Sequence, residues 1–341
     1  MGTYVITGGA GFIGCNTAHR LISEGREVVV VDNLSRKGGA ANLDWLRSGG
    51  KFTFVQADLR DADAIEKVFR DHGEIDAVVH LAGQVAVTTS VVNPREDFEC
   101  NALGAFNLLE AVRLSGQKPL VIYSSTNKVY GGMEEIAIEE RDTCYAYRDY
   151  PLGIPETITL DFHSPYGCSK GAADQYMRDY YRIYDIPTVV MRQSCIYGYR
   201  QFGVEDQGWV AWFVIAAVLE RPITIYGDGK QVRDVLFIDD LVDAYLAAMA
   251  RREQVAGKIY NIGGGPDRTM SIWAEFGPII EELLGRPIPV SHGDWRPGDQ
   301  PVYVSDIRKA AQELGWSPKT SVREGVTKLF HWVAENRALF A

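Results

Sequence analysis

From the N-terminus to about residue 191, short apolar runs alternate with segments of helical spacing. Residues 3–7 are apolar and β-branched and predict a strand, and a helical pattern follows to about Glu24. Further strands are predicted at 27–31, 52–56, 77–81, 120–124 and 187–191, with helices at 61–71, 94–115 and 165–184. This alternation predicts an α/β fold, a Rossmann-type doubly wound parallel sheet with its sites at the C-terminal ends of the strands. Past residue 192 the spacing is less regular. A strand at 223–226, a strand and turn around 232–234 and an amphipathic helix at 237–251 lead into a smaller mixed α/β region. The expected division is a Rossmann domain of residues 1–192 plus 232–257 and a second, substrate-binding region of residues 193–231 plus 258–341.

Two stretches break the alternation. Residues 132–164 are acidic first (Glu134, Glu135, Glu139, Glu140), then aromatic (Tyr145, Tyr147, Tyr150), and are interrupted by Pro151 and Pro155. A segment of that length without regular spacing is expected to be a lid or binding loop. Residues 199–213 mix aromatic and polar side chains and are expected to form pocket wall rather than a core helix.

Composition narrows the class. The chain has 341 residues, 46% hydrophobic and 23% charged, enough for a full core. Its net charge of −10 argues against non-specific binding to nucleic acid or to an anionic membrane. No apolar run reaches the length of a membrane span, and the first residues run straight into a strand without a basic leader. Five scattered cysteines (Cys15, Cys100, Cys144, Cys168, Cys195), with no C-x-x-C pair, suit reduced thiols in the cytoplasm without a disulfide framework or zinc site. The six histidines form no ligand cluster, so no metal is expected.

Candidate chemistry gathers at the predicted strand ends. After the first strand comes Gly8-Gly9-Ala10-Gly11-Phe12-Ile13-Gly14. Glycines at 8, 11 and 14 allow a tight turn, a close backbone approach to a pyrophosphate, and close packing of helix on sheet. The next strand ends in Asp32, completing the strand–turn–helix–strand–acid order of a dinucleotide site. Asp32 would accept hydrogen bonds from the adenosine ribose and repel a 2′-phosphate, which favours NAD over NADP; Arg36 and Lys37 nearby work against that preference. Asp58 and Leu59 end the third strand and could line the adenine pocket. Ala82-Gly83-Gln84 end the fourth, small residues where a backbone passes close to a cofactor.

Thr126 follows the 120–124 strand and could hydrogen-bond a substrate hydroxyl. Tyr166 and Lys170 lie four residues apart at the start of a predicted helix, hence on one face. A lysine cation, with the positive ring of a bound cofactor, favours the phenolate and is expected to lower the tyrosine from its free value near pH ~10. Such a tyrosine could take a proton from a sugar hydroxyl and return it. Arg233, and Arg296 held beside Pro297, are candidates for clamping a phosphate; taken singly, each is equally well explained by a surface ion pair.

The glycine turn, Thr126 and the Tyr166/Lys170 pair together resemble the extended short-chain dehydrogenase/reductases over essentially the whole chain. Within them the chain is most similar to nucleotide-sugar epimerases of the CDP-paratose/CDP-tyvelose 2-epimerase type. The stretches that carry this are Ser125-Thr126-Asn127-Lys128-Val129-Tyr130-Gly131, Asp161-Phe162-His163-Ser164-Pro165-Tyr166-Gly167-Cys168-Ser169-Lys170-Gly171, and Arg200-Gln201-Phe202 with Asp206-Gln207-Gly208-Trp209. The resemblance implies that Tyr166 is the acid/base, that Lys170 holds the nicotinamide ribose and tunes the tyrosine, and that Thr126 orients the substrate hydroxyl. It implies tightly bound NAD held by Gly8, Gly11, Phe12, Ile13, Asp32, Asn33, Asp58, Leu59, Ala82, Gly83, Gln84 and Asn101 along with Tyr166 and Lys170. The nucleotide sugar would be held by Gln193, Gln201, Gln207, Arg233 and Arg296. The implied reaction is a hidden redox cycle: oxidation at C2 to a 2-keto sugar, rotation of that sugar in the site, and return of the hydride to its other face. Relatives are dimers or tetramers, which implies a homo-oligomer, with residues 96–115 and 165–184 as the pairing helices.

Other activities share this scaffold. A 4,6-dehydratase opens with the same oxidation but needs a further acid and base, an Asp-Glu pair after the threonine in relatives; here Asn127-Lys128 stand there. A UDP-sugar 4-epimerase would keep every catalytic residue named above. A one-way keto-sugar reductase usually favours NADPH, which Asp32 opposes. A non-catalytic NAD-dependent sensor would have no use for Thr126, Tyr166 and Lys170 together.

Overall fold

The structure, a computed structural model, describes residues 2–295 and 299–340. Strand β1 (Thr3–Thr7) leads through the glycine turn into α1 (Phe12–Ser23), followed by β2 (Glu27–Asp32), α2 (Gly39–Gly49), β3 (Thr53–Gln56), α3 (Ala62–Asp71) and β4 (Ile75–His80). Then come α4 (Val87–Val92), α5 (Pro94–Phe98), α6 (Gly104–Ser115), β5 (Leu120–Thr126), β6 (Ile138–Glu140), β7 (Tyr145–Tyr147), α7 (Ser164–Tyr184) and β8 (Thr188–Gln193). The remainder holds β9 (Cys195–Tyr197), α8 (Trp209–Val218), β10 (Ile223–Tyr226), β11 (Val232–Phe237), α9 (Ile238–Ala250), β12 (Lys258–Ile262), β13 (Thr269–Ser271), β14 (Val290–Gly293) and β15 (Val302–Tyr303), with further helices toward the C-terminus.

Seven strands form one parallel sheet in the order β12-β8-β5-β4-β1-β2-β3. Successive side chains of a strand point to opposite faces, and both faces here are covered. Thus Tyr4, Ile6, Val28 and Val30 enter one core, while Val5, Val29 and Val31 enter the other. This double burial is why these strands read as continuous apolar runs. The strand order reverses between β1 and β4, which opens a crevice at their C-terminal ends.

Pairing redraws the expected division. Residues 258–262, assigned to the smaller region, form β12 and pair with β8 at the edge of the large sheet. Residues 232–237, assigned to the Rossmann domain, form β11 and pair with β9, β13 and β15 in the small mixed sheet. Short apolar strands look alike in sequence, and only their long-range partners decide which sheet they join. The smaller region also contains the parallel pair β10–β14.

Three local expectations also change. The 94–115 helix starts as expected, with Pro94 in its first turn and Asn93 accepting a hydrogen bond from the Glu96 amide. It is interrupted by a π-helical turn at Glu99–Leu103 that contains Asn101. Residues 209–213 belong to α8, a core helix rather than pocket wall; its sequence WVAWFVIAAV is apolar on every side, and Val210, Ala211 and Val214–Val218 are buried. The 132–164 stretch is no free lid. It holds the β6–β7 hairpin, and Tyr147 and Ile154 share a core cluster with Val129, Val232, Val302 and Tyr303. The Tyr147 hydroxyl donates to the Val302 carbonyl at 2.8 Å, and Ile154 bridges Ser305. No helix among the described residues is long and apolar enough to cross a membrane.

Candidate active site

A cavity of about 540 Å³ runs along the C-terminal ends of the strands. At one end three stretches of backbone meet. Gly8 has φ +69°, and a Cβ there would lie 2.7 Å from the Ala82 nitrogen. A Cβ on Gly14 would lie 2.2 Å from the Gly8 carbonyl oxygen. Gly11 precedes α1 without any side-chain cap, so the helix offers bare N-terminal amides beside Phe12 and Ile13 on the crevice wall. Uncapped amides at a helix N-terminus suit a pyrophosphate.

Asp32 ends β2 and is buried. Its carboxylate accepts from the Ala10 amide at 3.0 Å and the Leu34 amide at 2.7 Å, and burial still raises it above its ordinary value. Beside it, Asn33 donates to Asp58 at 2.8 Å and Arg60 grips the same carboxylate at 2.9 and 2.7 Å, which holds Asp58 well below the usual range. Leu59, Ala82, Gly83 and Gln84 complete this wall. Together, the glycine cradle, the uncapped helix and the acid at the strand tip fit a dinucleotide such as NAD.

Gln84 is fixed by bonds from its amide nitrogen to Asp97 at 2.8 Å and the Ala86 carbonyl at 2.7 Å. Asn101 lies behind Gly83 rather than on the crevice wall. It donates to the Gln84 carbonyl at 3.0 Å, to Asp97 at 3.2 Å and to Ser169 at 3.3 Å, and its buried side-chain oxygen has no hydrogen-bond partner among the described residues. It shapes the 82–84 backbone from below, so any effect on a cofactor passes through Gly83 and Gln84.

Thr126, Tyr166 and Lys170 meet on the opposite wall, all three buried. Thr126 comes from the end of β5, and the other two from adjacent turns of α7. The Tyr166 amide donates to Ser90 Oγ at 3.2 Å, which ties the start of α7 to α4. Lys170 Nζ donates to the Ser124 carbonyl at 2.5 Å and stands 4.3 Å from the centre of the Tyr123 ring. In this arrangement the lysine alone does not lower the tyrosine. Burial pushes Tyr166 up to about 12, with a hydrogen bond from Thr126 pulling the other way. Burial likewise pushes Lys170 down to about 7 against the attraction of Asp174 and Asp97. Both charged forms lack the solvation they need, so a phenolate here requires added positive charge.

Beneath this triad lies an ion pair cut off from solvent. Arg192 grips Asp174 at 2.9 and 3.0 Å, and Ser125 Oγ donates to the same carboxylate at 2.8 Å. Arg192 also donates to the Tyr130 hydroxyl at 3.2 Å. The network fixes β5, α7 and β8 relative to one another, and with them Thr126 and Lys170.

The expected substrate residues separate. Gln193 lines the crevice and donates to the Tyr245 hydroxyl at 2.6 Å. Gln201 also lines it, and its buried side-chain oxygen has no partner among the described residues, leaving an acceptor for a ligand donor. Gln207 instead accepts from Arg36 across the crevice mouth, beside the glycine-turn end. Arg233 lies off the crevice wall and is held by Asp299 at 2.6 Å. Arg296 lies outside the described residues. Sequence reading passed over Ser90 and Ser124, whose roles need the packing of α4 and α7 to be visible, and gave no binding role to Lys128, whose place two residues after Thr126 was a usable signal.

The sequence matches the family described as GDP-mannose 4,6 dehydratase over residues 5–329. It is 46% identical to the CDP-paratose 2-epimerase of Salmonella typhi over 335 residues, covering 97% of this chain and 98% of that protein. Among solved structures, the UDP-glucose 4-epimerase of Thermotoga maritima with UDP-glucose superposes with a TM-score of 0.85 at 32% identity, over 98% of this chain and 99% of that one. The UDP-glucose 4-epimerase of Bifidobacterium longum in complex with NAD+ and UDP gives a TM-score of 0.85 at 28% identity, again over 98% and 99% of the two chains.

Proposed function

The chain belongs to the GDP-mannose 4,6-dehydratase family, and we propose that it is an NAD-dependent nucleotide-sugar epimerase that inverts C2 of a CDP-hexose, interconverting CDP-paratose and CDP-tyvelose. The observation that carries this reading is the meeting of Thr126, Tyr166 and Lys170 on one wall of a dinucleotide-shaped crevice, in a chain similar along its whole length to a 2-epimerase. Bound NAD would supply reversible hydride chemistry at the sugar carbon. Gly8, Gly11, Phe12 and Ile13 would hold its pyrophosphate and Asp32 its adenosine ribose.

Tyr166 takes the proton of the C2 hydroxyl and returns it after the keto sugar has turned over, while Thr126 holds that oxygen in place. Burial keeps Tyr166 a phenol in the free crevice, so the phenolate depends on positive charge from a protonated Lys170 and from the cofactor. Asn127 and Lys128 follow Thr126, and neither can serve as the carboxylic acid of a dehydratase. The large sheet would carry the cofactor, and Gln193 and Gln201 on the crevice wall would meet the nucleotide sugar. Replacing Tyr166 with phenylalanine should lower turnover by roughly 10²–10⁴-fold while leaving NAD bound. A fully active Tyr166→Phe enzyme would sink the assignment.

We also propose a cytoplasmic location, a reading supported by five scattered cysteines without a C-x-x-C pair. Its oligomeric state is proposed from the helices: Phe98, Phe106, Leu114, Tyr176 and Ile183 are exposed on α5, α6 and α7, and Phe106 and Tyr176 pack edge to face at 5.7 Å. Such a face suits a second copy of the chain. Sedimentation should show a dimer or larger assembly, and Phe106→Glu should shift it toward monomer.

A further inference from the structure

We propose that Lys128 is a positioning residue that sets which sugar carbon reacts: its ammonium draws the diphosphate of the nucleotide sugar against the Thr126 wall, which presents C2 rather than C4 to Tyr166. The proposal rests on the epimerase reading above and names the feature that selects its reacting carbon.

Lys128 lies in the turn Asn127–Tyr130 that ends β5, and its amide donates to Thr126 Oγ1 at 3.2 Å. The turn that carries the lysine is therefore tied to the hydroxyl proposed to orient the substrate. The side chain is half-buried, and Nζ donates to Gln300 Oε1 at 3.2 Å; Gln300 is itself anchored to the Gly131 carbonyl. A neutral amide does not neutralise an ammonium. Arg233 and Asp299 are the charged groups felt by Lys128, and they already pair with each other at 2.6 Å. Asp234 is committed elsewhere, to the Ser194 hydroxyl and the Gly265 amide. Cys195, a residue of the crevice wall, feels the charge of both Lys128 and Arg233; with Arg233 paired to Asp299, the Lys128 ammonium is the uncompensated charge behind that wall. Burial pushes Lys128 down to about 8, a cost that an arriving dianion would reverse.

The chemistry of the sugar supplies the remaining step. In a nucleotide hexose the diphosphate is attached at C1, next to C2 and across the ring from C4. When C2 is the reacting carbon, the diphosphate must therefore lie close to the hydroxyl-binding wall. When C4 reacts, it must lie a full ring away. A cation two residues beyond Thr126 suits the first arrangement and offers the second nothing.

The test compares the NAD-loaded wild-type enzyme with Lys128→Gln, Lys128→Met and Lys128→Arg. It measures NAD content, CDP affinity by calorimetry, and kcat and KM on CDP-tyvelose. A hydrogen bond to a charged group is worth roughly tenfold to a hundredfold in binding. Lys128→Gln and Lys128→Met should keep their NAD, lose about that much CDP affinity and kcat/KM, and show the loss mainly in KM; Lys128→Arg should recover most of it. The methionine variant keeps the apolar stem and guards against a folding defect in the glutamine variant. CDP affinity and kcat/KM within about twofold of wild type in a folded, uncharged variant would overturn the proposal. If the wild-type enzyme leaves CDP-tyvelose untouched, the functional reading has failed; if it turns the sugar over and the uncharged variants match it, only the role of Lys128 has failed.

Discussion

Replacing Lys170 with methionine is expected to stabilise the cofactor-free protein at neutral pH while abolishing turnover. Burial pushes Lys170 from its ordinary 10.5 to about 7. A difference of that size corresponds to at most about 5 kcal/mol against the charged lysine in the fold. Methionine fills similar space without the charge, but it gives up the bond to the Ser124 carbonyl and the contact with the Tyr123 ring. Those two losses together are worth about 1–3 kcal/mol. The net expectation is a gain of about 1–3 kcal/mol for the variant below pH ~7.

The sign follows from proton counting. Between about pH 7 and 10.5 the unfolded chain holds a proton on this lysine that the folded chain lacks, so wild-type stability rises with pH across that window. Below it both states are protonated and the burial penalty is present in full; above it the penalty is gone. The variant lacks this rise, so its advantage should shrink with pH and reverse near the top of the window. Urea unfolding of both proteins after removal of NAD, at about pH 6.5 and about pH 9.5, measures the gap directly. A variant less stable than wild type at the lower pH, or a gap that does not change with pH, would refute the reasoning.

Two further outcomes follow from packing. Asp174→Asn leaves the Arg192 guanidinium buried without its counter-charge, and should cost about 3–5 kcal/mol in denaturant unfolding. Gly14→Ala sets a methyl group 2.2 Å from the Gly8 oxygen and 2.6 Å from Gly9 Cα. Backbone on both sides cannot yield cheaply, so the variant should lose about 1–3 kcal/mol and be purified with little or no NAD, as read by absorbance after denaturation.

Much of the large sheet was legible because its strands are buried on both faces and its turns need particular residues. Gly8 must adopt a positive φ and Gly14 must let α1 press on the turn, so the glycine spacing carried the cofactor end of the site. The four-residue spacing of Tyr166 and Lys170 was legible for the same local reason. What sequence could not convey depends on distant partners. The π-turn holding Asn101 is stabilised by Gln84, Asp97 and Ser169, the last of them far along the chain. The destinations of β11 and β12 depend on strands they meet only after folding. Irregular spacing in residues 132–164 reads as a loop, yet Tyr147 and Ile154 supply part of a core that Val302 and Tyr303 complete. For Tyr166, sequence shows that a lysine is near, but not that it is turned toward the Ser124 carbonyl, nor how completely both groups are buried.

The central claim, epimerisation at C2 by removal and return of the same hydrogen, is tested most directly by proton NMR. The purified enzyme is incubated with CDP-tyvelose in deuterated water without added cofactor. The account predicts CDP-paratose with protium retained at C2, because the hydrogen leaves and returns as hydride and does not exchange with solvent. Deuterium at C2 would mean a proton-abstraction route and would contradict the mechanism. An unchanged sugar would contradict C2 specificity and direct the next experiment to UDP-galactose and chemistry at C4.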